Sequence, residues 1–136
     1  MARILVIEDH PVNLKLVRFI LESAGHQVVG AGTAAEGLAL AREAPQPETI
    51  LMDIQLPGMD GLAATRLLKG DPVTAHIPVI ALTAFAMTGD EGRILGAGCD
   101  GYVAKPFHHA QLVSTVAAAL SPRRAALDGD AHAPLA

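Results

Sequence analysis

The sequence predicts a single α/β domain of five βα units built on a parallel sheet. Five short apolar runs alternate with longer stretches patterned for helix. Three of the runs are continuously apolar rather than alternating, which marks strands covered on both faces. Aromatics are only 3% of a chain that is 51% hydrophobic, and Trp is absent. The core must therefore be Val, Ile, Leu and Ala, which suits a sheet layered between helices. The 136 residues are enough for one domain and too few for two ordinary ones.

Each element has a local reason. Residues 4–7 read as the first strand, and Pro11 sits at the first position of the helix that follows, where its missing N–H costs nothing. Gly25 ends that helix after Ala24. Residues 27–31 read as the second strand, and a helix over 33–44 is halted by Pro45 and Pro47. The third strand covers 49–52 and the third helix 62–68, with Gly70 and Pro72 beyond it. The fourth strand covers 78–82, and its helix lies between Thr88 and Ala97. The fifth strand covers 101–104, and the last helix runs over 108–120 until Pro122 stops it. The connections are long enough for the crossovers that parallel pairing requires. Residues 1–120 thus form the domain, and 121–136, which lack periodicity, read as a flexible tail.

Charge and cysteine usage exclude several classes. The net charge is -4 and no run of Lys and Arg forms a basic stripe, so nucleic acid is not an expected partner. Arg123-Arg124 is an isolated pair and reads as solvated. The single cysteine, Cys99, cannot form an internal disulfide, fits a reducing compartment and reads as a small core residue. The first apolar run meets acidic residues after four positions, which is neither a signal peptide nor a membrane span. A cytoplasmic protein without a membrane partner is the expectation. None of the six histidines has metal-site spacing; His108 and His109 are adjacent, and His10 reads as a cap or a solvent-facing residue.

The chemistry gathers at one rim. In an open parallel sheet, ligands bind beyond the carboxyl ends of the strands. Glu8-Asp9 follow strand one, Asp53 strand three, Thr83 strand four and Lys105-Pro106 strand five. Taken singly, an acid there is often a helix cap and a loop lysine is usually solvated. Together they are three carboxylates, a hydroxyl and an ammonium converging on one edge. Carboxylates held close repel, so they need a cation or shifted pKa values. An oxygen-only, open donor set that keeps waters suits Mg²⁺. Beside the ion, Asp53 can act as a covalent phosphoryl acceptor, with Lys105 and the Thr83 hydroxyl holding other phosphoryl oxygens.

The stretches "ILVIED", "ILMDIQLPGMDG", "HIPVIALTA" and "GYVAKPF" make the chain resemble, over about residues 3–120, the receiver domain of two-component response regulators. The run from His76 to Pro106 is similar to single-domain receivers of the DivK type. The resemblance implies a flavodoxin-like (βα)5 fold with strand order 2-1-3-4-5. It implies Asp53 as phosphoacceptor, Asp9 as a direct metal ligand, Glu8 acting through water, and Asp53 with the Gln55 backbone carbonyl completing the protein ligands. Thr83 would swing toward the phosphoryl group, Lys105 would contact it, Tyr102 would be the switch aromatic, and the bond before Pro106 would be cis. Phe85, two after Thr83, would hinder an attacking water. The implied phosphodonor is a sensor histidine kinase or a histidine phosphotransfer protein, and a downstream protein target reads the switch. Such a protein turns over only its own phosphoryl group.

Two helices say more. Residues 12–24 on a wheel give an apolar arc of roughly 220°, interrupted by Asn13 and Ser23, with Lys15, Arg18 and Glu22 as the compact polar face. One sheet explains a stripe little wider than 100°. Leu14 and Phe19 are therefore candidates for an exposed margin where a donor helix pair docks. The fourth helix contains Gly89, Gly92 and Gly96, each costing about 1 kcal/mol relative to Ala, so it is marginal enough to shift. Two other functions fit less well. A haloacid dehalogenase-type hydrolase needs a second acid where this chain has Gln55, and a flavin module needs a Ser/Thr/Gly phosphate loop where it has Glu8-Asp9.

Overall fold

Apolar runs of four or five residues, too short for helices, become the strands β1 (Arg3–Ile7), β2 (Gln27–Ala31), β3 (Thr49–Asp53), β4 (Val79–Thr83) and β5 (Gly101–Ala104). A computed structural model describes residues 2–84, 91–105 and 108–128. All strands pair in parallel, in the order β2-β1-β3-β4-β5. The helices between and after them are α1 (Pro11–Ser23), α2 (Ala34–Arg42), α3 (Gly61–Gly70), α4 (Glu91–Gly96) and α5 (His109–Asp128). This is the flavodoxin-like order expected from the resemblance.

Strand alternation divides the core in two. Ile4, Val6, Leu51, Ile80, Leu82 and Val103 pack with Val17, Ile20 and Leu21 of α1 and with Leu112 and Val116 of α5. Leu5, Ile7, Ile50, Met52, Val79 and Ala81 face the other way, onto α2, α3 and Ile94 of α4. Each central strand thus buries both faces, which is why its sequence is continuously apolar. Cys99 is buried and free, in the second of these layers.

Local signals set the helix ends. Pro11 opens α1, and His10 is its N-cap residue, exposed and without a side-chain cap bond. The Thr33 hydroxyl accepts from the Glu36 N–H, and the Glu36 carboxylate accepts from the Gly32 N–H, a reciprocal cap on α2. Asp60 caps α3 through the Ala63 N–H.

The last helix corrects the expected boundary at residue 120, because α5 continues to Asp128 through Pro122. A proline removes one helical donor but does not forbid continuation. The residues after it, Arg123, Arg124, Ala125, Ala126 and Leu127, are strong helix formers that outweigh the stop. Residues 85–90 of the expected fourth-helix region, including Phe85 and Gly89, lie outside the described residues, as do Pro106 and residues 129–136.

Candidate functional site

The site is built where β1, β3, β4 and β5 end. Asp53 and Thr83 are the last residues of their strands rather than the first of the loops, and each is almost fully buried. Glu8 follows β1 directly and is 1% exposed. Its main-chain N–H donates to Ala31 O at 2.9 Å, which extends the β1–β2 pairing by one residue and turns its side chain inward. Lys105 follows β5, and its N–H donates to Thr83 O at 2.8 Å, so the lysine and the threonine are fixed to one another through main chain.

Asp53 is held from two sides. Its Oδ1 accepts the Gln55 N–H at 2.9 Å, and its Oδ2 accepts from Lys105 Nζ at 3.1 Å. Lys105 Nζ also lies 3.5 Å from Glu8 Oε1. Glu8 Oε2 accepts the His10 N–H at 3.1 Å. Burial first, and the neighbouring Asp53 carboxylate next, push the Glu8 carboxyl from an ordinary 4.5 up to about 7, against the opposing pull of the His10 N–H and Lys105.

Ligand oxygens of Glu8, Asp9 and Asp53 all lie within 4.8 Å of one another. Glu8 Oε1 and Asp9 Oδ1 are buried and accept no hydrogen bond, a state that costs free energy unless a cation or proton fills the space between them. A donor set of carboxylate oxygens with spare lone pairs fits a hard divalent cation such as Mg²⁺. Among the described residues, no histidine joins this cluster.

The loop from Asp53 to α3 has a tight constraint that the sequence reading did not single out. A Cβ on Gly61 would stand 2.2 Å from Asp53 O and 2.6 Å from Ile54 Cα, so only glycine lets α3 start against the end of β3. The Gly61 N–H donates to Ile54 O at 3.1 Å, closing the loop. The Asp60-Gly61 pair before an apolar helical run carries this signal in the sequence.

The remaining expected residues divide. Tyr102 is half-buried and packs on the core layer under α2 and α3, with Ala81 as its register partner on β4. On α1, Phe19 is 67% exposed, as expected of a docking margin. Leu14 is not exposed in that way: it is half-buried, with its side-chain methyl carbons pressed toward Gly30 of β2. The missing Cβ at Gly30 opens the space that Leu14 fills. The exposed apolar stripe is instead Val12, Leu16 and Phe19, spaced one turn apart down one face. A groove of about 400 Å³ between the C-terminal halves of α2 and α3 lies at the opposite end of the sheet from the acidic rim.

Residues 4–117 match the response regulator receiver domain family, and the chain belongs to it. Members of this family take a phosphoryl group on an aspartate and bind Mg²⁺. The chain is 45% identical over 113 residues to the polar-differentiation response regulator DivK of Brucella ovis, covering 83% of this chain and 91% of that one. It is also similar to the receiver domain of a sensor histidine kinase from Pseudomonas aeruginosa, solved with magnesium coordinated in the active-site cleft. There the TM-score is 0.81 and the identity 35%, covering 88% of this chain and 98% of that one. A chemotaxis response regulator of Vibrio cholerae shares 26% identity at a TM-score of 0.82, over 88% and 99% of the two chains. The protein is thus a DivK-like response regulator in two-component signalling, with one receiver domain in these 136 residues. Among the described residues, no helix is long and apolar enough to cross a membrane.

Proposed function

We propose that Asp53 is the phosphoacceptor of a cytoplasmic switch charged by a sensor histidine kinase or a histidine phosphotransfer protein. The observation that carries this reading is the pinning of a buried Asp53 between the Gln55 N–H and Lys105, beside two buried carboxylate oxygens that accept no hydrogen bond. An Asp53 oxygen attacks phosphorus of a phosphohistidine; the P–O bond forms, the P–N bond breaks, and the histidine nitrogen leaves with the bonding pair. Lys105, already 3.1 Å from the carboxylate, follows the charge onto the phosphoryl oxygens. The Thr83 hydroxyl takes another oxygen, and Tyr102 moves inward as Thr83 repositions. Asp9, Asp53 and the Gln55 carbonyl would hold Mg²⁺, with Glu8 acting through water, and the ion when bound would supply charge neutralisation for the transferring group.

The Val12–Leu16–Phe19 stripe begins next to the acidic rim and suits docking of a donor helix pair. A downstream protein then reads the state of α4, β5 and α5. Besides accepting the group, the domain hydrolyses its own acyl phosphate.

The test is labelling with acetyl phosphate and Mg²⁺, and then with phosphorylated histidine donors. One phosphoryl group per wild-type chain and none on Asp53→Asn is expected. No labelling of wild type by any donor, or full labelling of Asp53→Asn, would sink the reading.

A further inference from the structure

Strand β5 carries Lys105 to the acidic rim, yet little in its own sequence fixes where it lies along β4. It is an end strand of the sheet, four residues long, and two of the four are the small Gly101 and Ala104. Val103 is the one residue of β5 that is fully buried, and Tyr102 is half-buried. A strand with so few packing side chains specifies its register weakly. Lys105 tolerates no such freedom, because its Nζ meets Asp53 Oδ2 at 3.1 Å.

The chain supplies the missing constraint just before the strand. Gly98 turns the backbone at φ +106, and the Cys99 N–H donates back to Ile94 O at 3.3 Å. The ladder onto β4 therefore starts at Asp100, whose N–H donates to Val79 O at 2.7 Å. Val79 is fully buried, so its own N–H needs an acceptor. Asp100 Oδ2 accepts it at 2.8 Å, standing where a further strand carbonyl would. Asp100 thus grips Val79 through main chain and side chain together, a two-point contact that a single register satisfies. The same oxygen accepts from Lys69 Nζ of α3 at 3.0 Å, and Lys69 Nζ also donates to Ile77 O at 2.9 Å and Ala75 O at 3.4 Å. The Asp100 side chain is 47% exposed, and an ion pair so open contributes little stability. Its consequence is geometric.

Strand β5 is held by a lysine–aspartate pair at each end: Lys69–Asp100 before it and Lys105–Asp53 after it. The second pair is remade when Asp53 takes a phosphoryl group, because Lys105 then turns to the new oxygens. The first takes no part in that chemistry and keeps the strand in place while Lys105 changes partner. We propose that Asp100, aimed by Lys69, locks the register of β5 and so positions Lys105 for the phosphoryl group. Asp100 touches no reacting atom; it is a positioning residue. The proposal rests on the phosphoacceptor reading for its chemistry, but the placement of Lys105 belongs to the unmodified protein and is tested there first.

NMR of the full chain with ¹³C-labelled lysine gives the first reading. Lys105→Met assigns the Lys105 ε-carbon signal, and Asp53→Asn shows where that signal lies once the pair is broken. In the unmodified protein, Asp100→Ala is expected to move it at least halfway to that position. Asp100→Asn keeps an oxygen for Val79 and Lys69 and should move it less than a quarter of the way. Labelling by acetyl phosphate gives the second reading. A misplacement of about 1 Å can cost a hundredfold in rate. Asp100→Ala should therefore lower the maximal rate at least fivefold, while Mg²⁺ affinity by calorimetry stays within twofold of wild type. Asp100→Asn should stay within twofold in both. General damage to the fold would lower rate and Mg²⁺ binding together, so the split between them isolates positioning. If Asp100→Ala does not fold, Lys69→Met takes its place, with the same direction of shift expected.

An unmoved Lys105 signal in whichever of those two variants folds overturns the lock. So does a maximal rate that falls by the same factor as Mg²⁺ affinity. A wild type that never labels overturns the phosphoacceptor reading, while the lysine signal still decides whether Asp100 places Lys105.

Discussion

Lys105 Nζ sits 3.1 Å from Asp53 Oδ2 and 3.5 Å from Glu8 Oε1, so one ammonium compensates two buried carboxylates. Removing one partner of a buried ion pair leaves charge without compensation, at a cost of about 3–5 kcal/mol when nothing else relaxes. Here Glu8 can take up a proton, which softens the loss. Lys105→Met should therefore lower stability by about 1–3 kcal/mol at pH 8 without divalent cation, and millimolar Mg²⁺ should restore part of it. Urea unfolding with and without Mg²⁺ measures both; an Mg²⁺ effect no larger than in wild type would argue that Lys105 and the cation do not share these carboxylates.

The pH response follows from the direction of the Glu8 shift. Its folded pKa, about 7, lies above the ordinary 4.5, so the folded state binds the proton more tightly than the unfolded one. Between those values stability falls as pH rises: the contribution is complete below 4.5 and is lost as pH passes through 7. The change is at most about 3 kcal/mol in the metal-free protein. Mg²⁺ competes with that proton, so its affinity should rise with pH and its binding at pH 6 should release protons. Calorimetry in two buffers of different ionisation enthalpy counts them, and no release at pH 6 would contradict the assignment to Glu8.

Gly61 carries a steric demand rather than a flexible one. In Gly61→Ala the added carbon would come 2.2 Å from Asp53 O, and the neighbouring atoms are main chain, which cannot rotate aside. A loss of about 2 kcal/mol is expected, together with slower labelling of Asp53 because its strand end is displaced. Gly70→Ala at the other end of α3 meets nothing within 4 Å and should change stability by less than about 1 kcal/mol in either direction. Thermal melts of the two variants give the comparison directly.

Helix α4 offers the opposite case. Gly92 and Gly96 face open space, so alanine at both positions adds helix propensity worth about 1 kcal/mol each without a clash. The double variant should slow amide exchange across α4 and reduce the shift that phosphorylation produces there. An unchanged phosphorylation response in a demonstrably stiffer helix would mean that marginal stability is not what lets α4 move.

The five strands, their parallel pairing and the acidic rim were all legible because each rests on a short-range signal. Continuous apolar runs mark strands buried on both faces, and Glu8, Asp9, Asp53, Thr83 and Lys105 each sit directly at a strand end. What was hidden depends on contacts between elements. The half-burial of Leu14 follows from the absent side chain at Gly30, and a helical wheel of α1 contains no information about β2. The Lys69 contacts join residues up to 31 apart in sequence, and a lone lysine there reads only as a favourable helix end. The end of α5 lies beyond Pro122 because the helix formers behind it outweigh the one donor that the proline removes.

The exposed stripe on α1 and the half-buried Leu14 beside it respond differently to an added charge. Val12, Leu16 and Phe19 are 78%, 43% and 67% exposed, so a charge at any of them removes no core contact and should change stability by less than about 0.5 kcal/mol. Val12→Asp, Leu16→Asp and Phe19→Asp should each slow phosphotransfer from a histidine donor at least tenfold, while acetyl phosphate labels Asp53 at the wild-type rate. Leu14→Asp should behave differently: it places a charge against Gly30 and the core layer, so it should destabilise the fold by about 2 kcal/mol or more. Its labelling by either donor should then track the folded fraction. Equal transfer rates for Phe19→Asp and wild type would place the donor on another surface. A selective transfer defect in a fully folded Leu14→Asp protein would return the docking margin to the position that the helical wheel alone suggested.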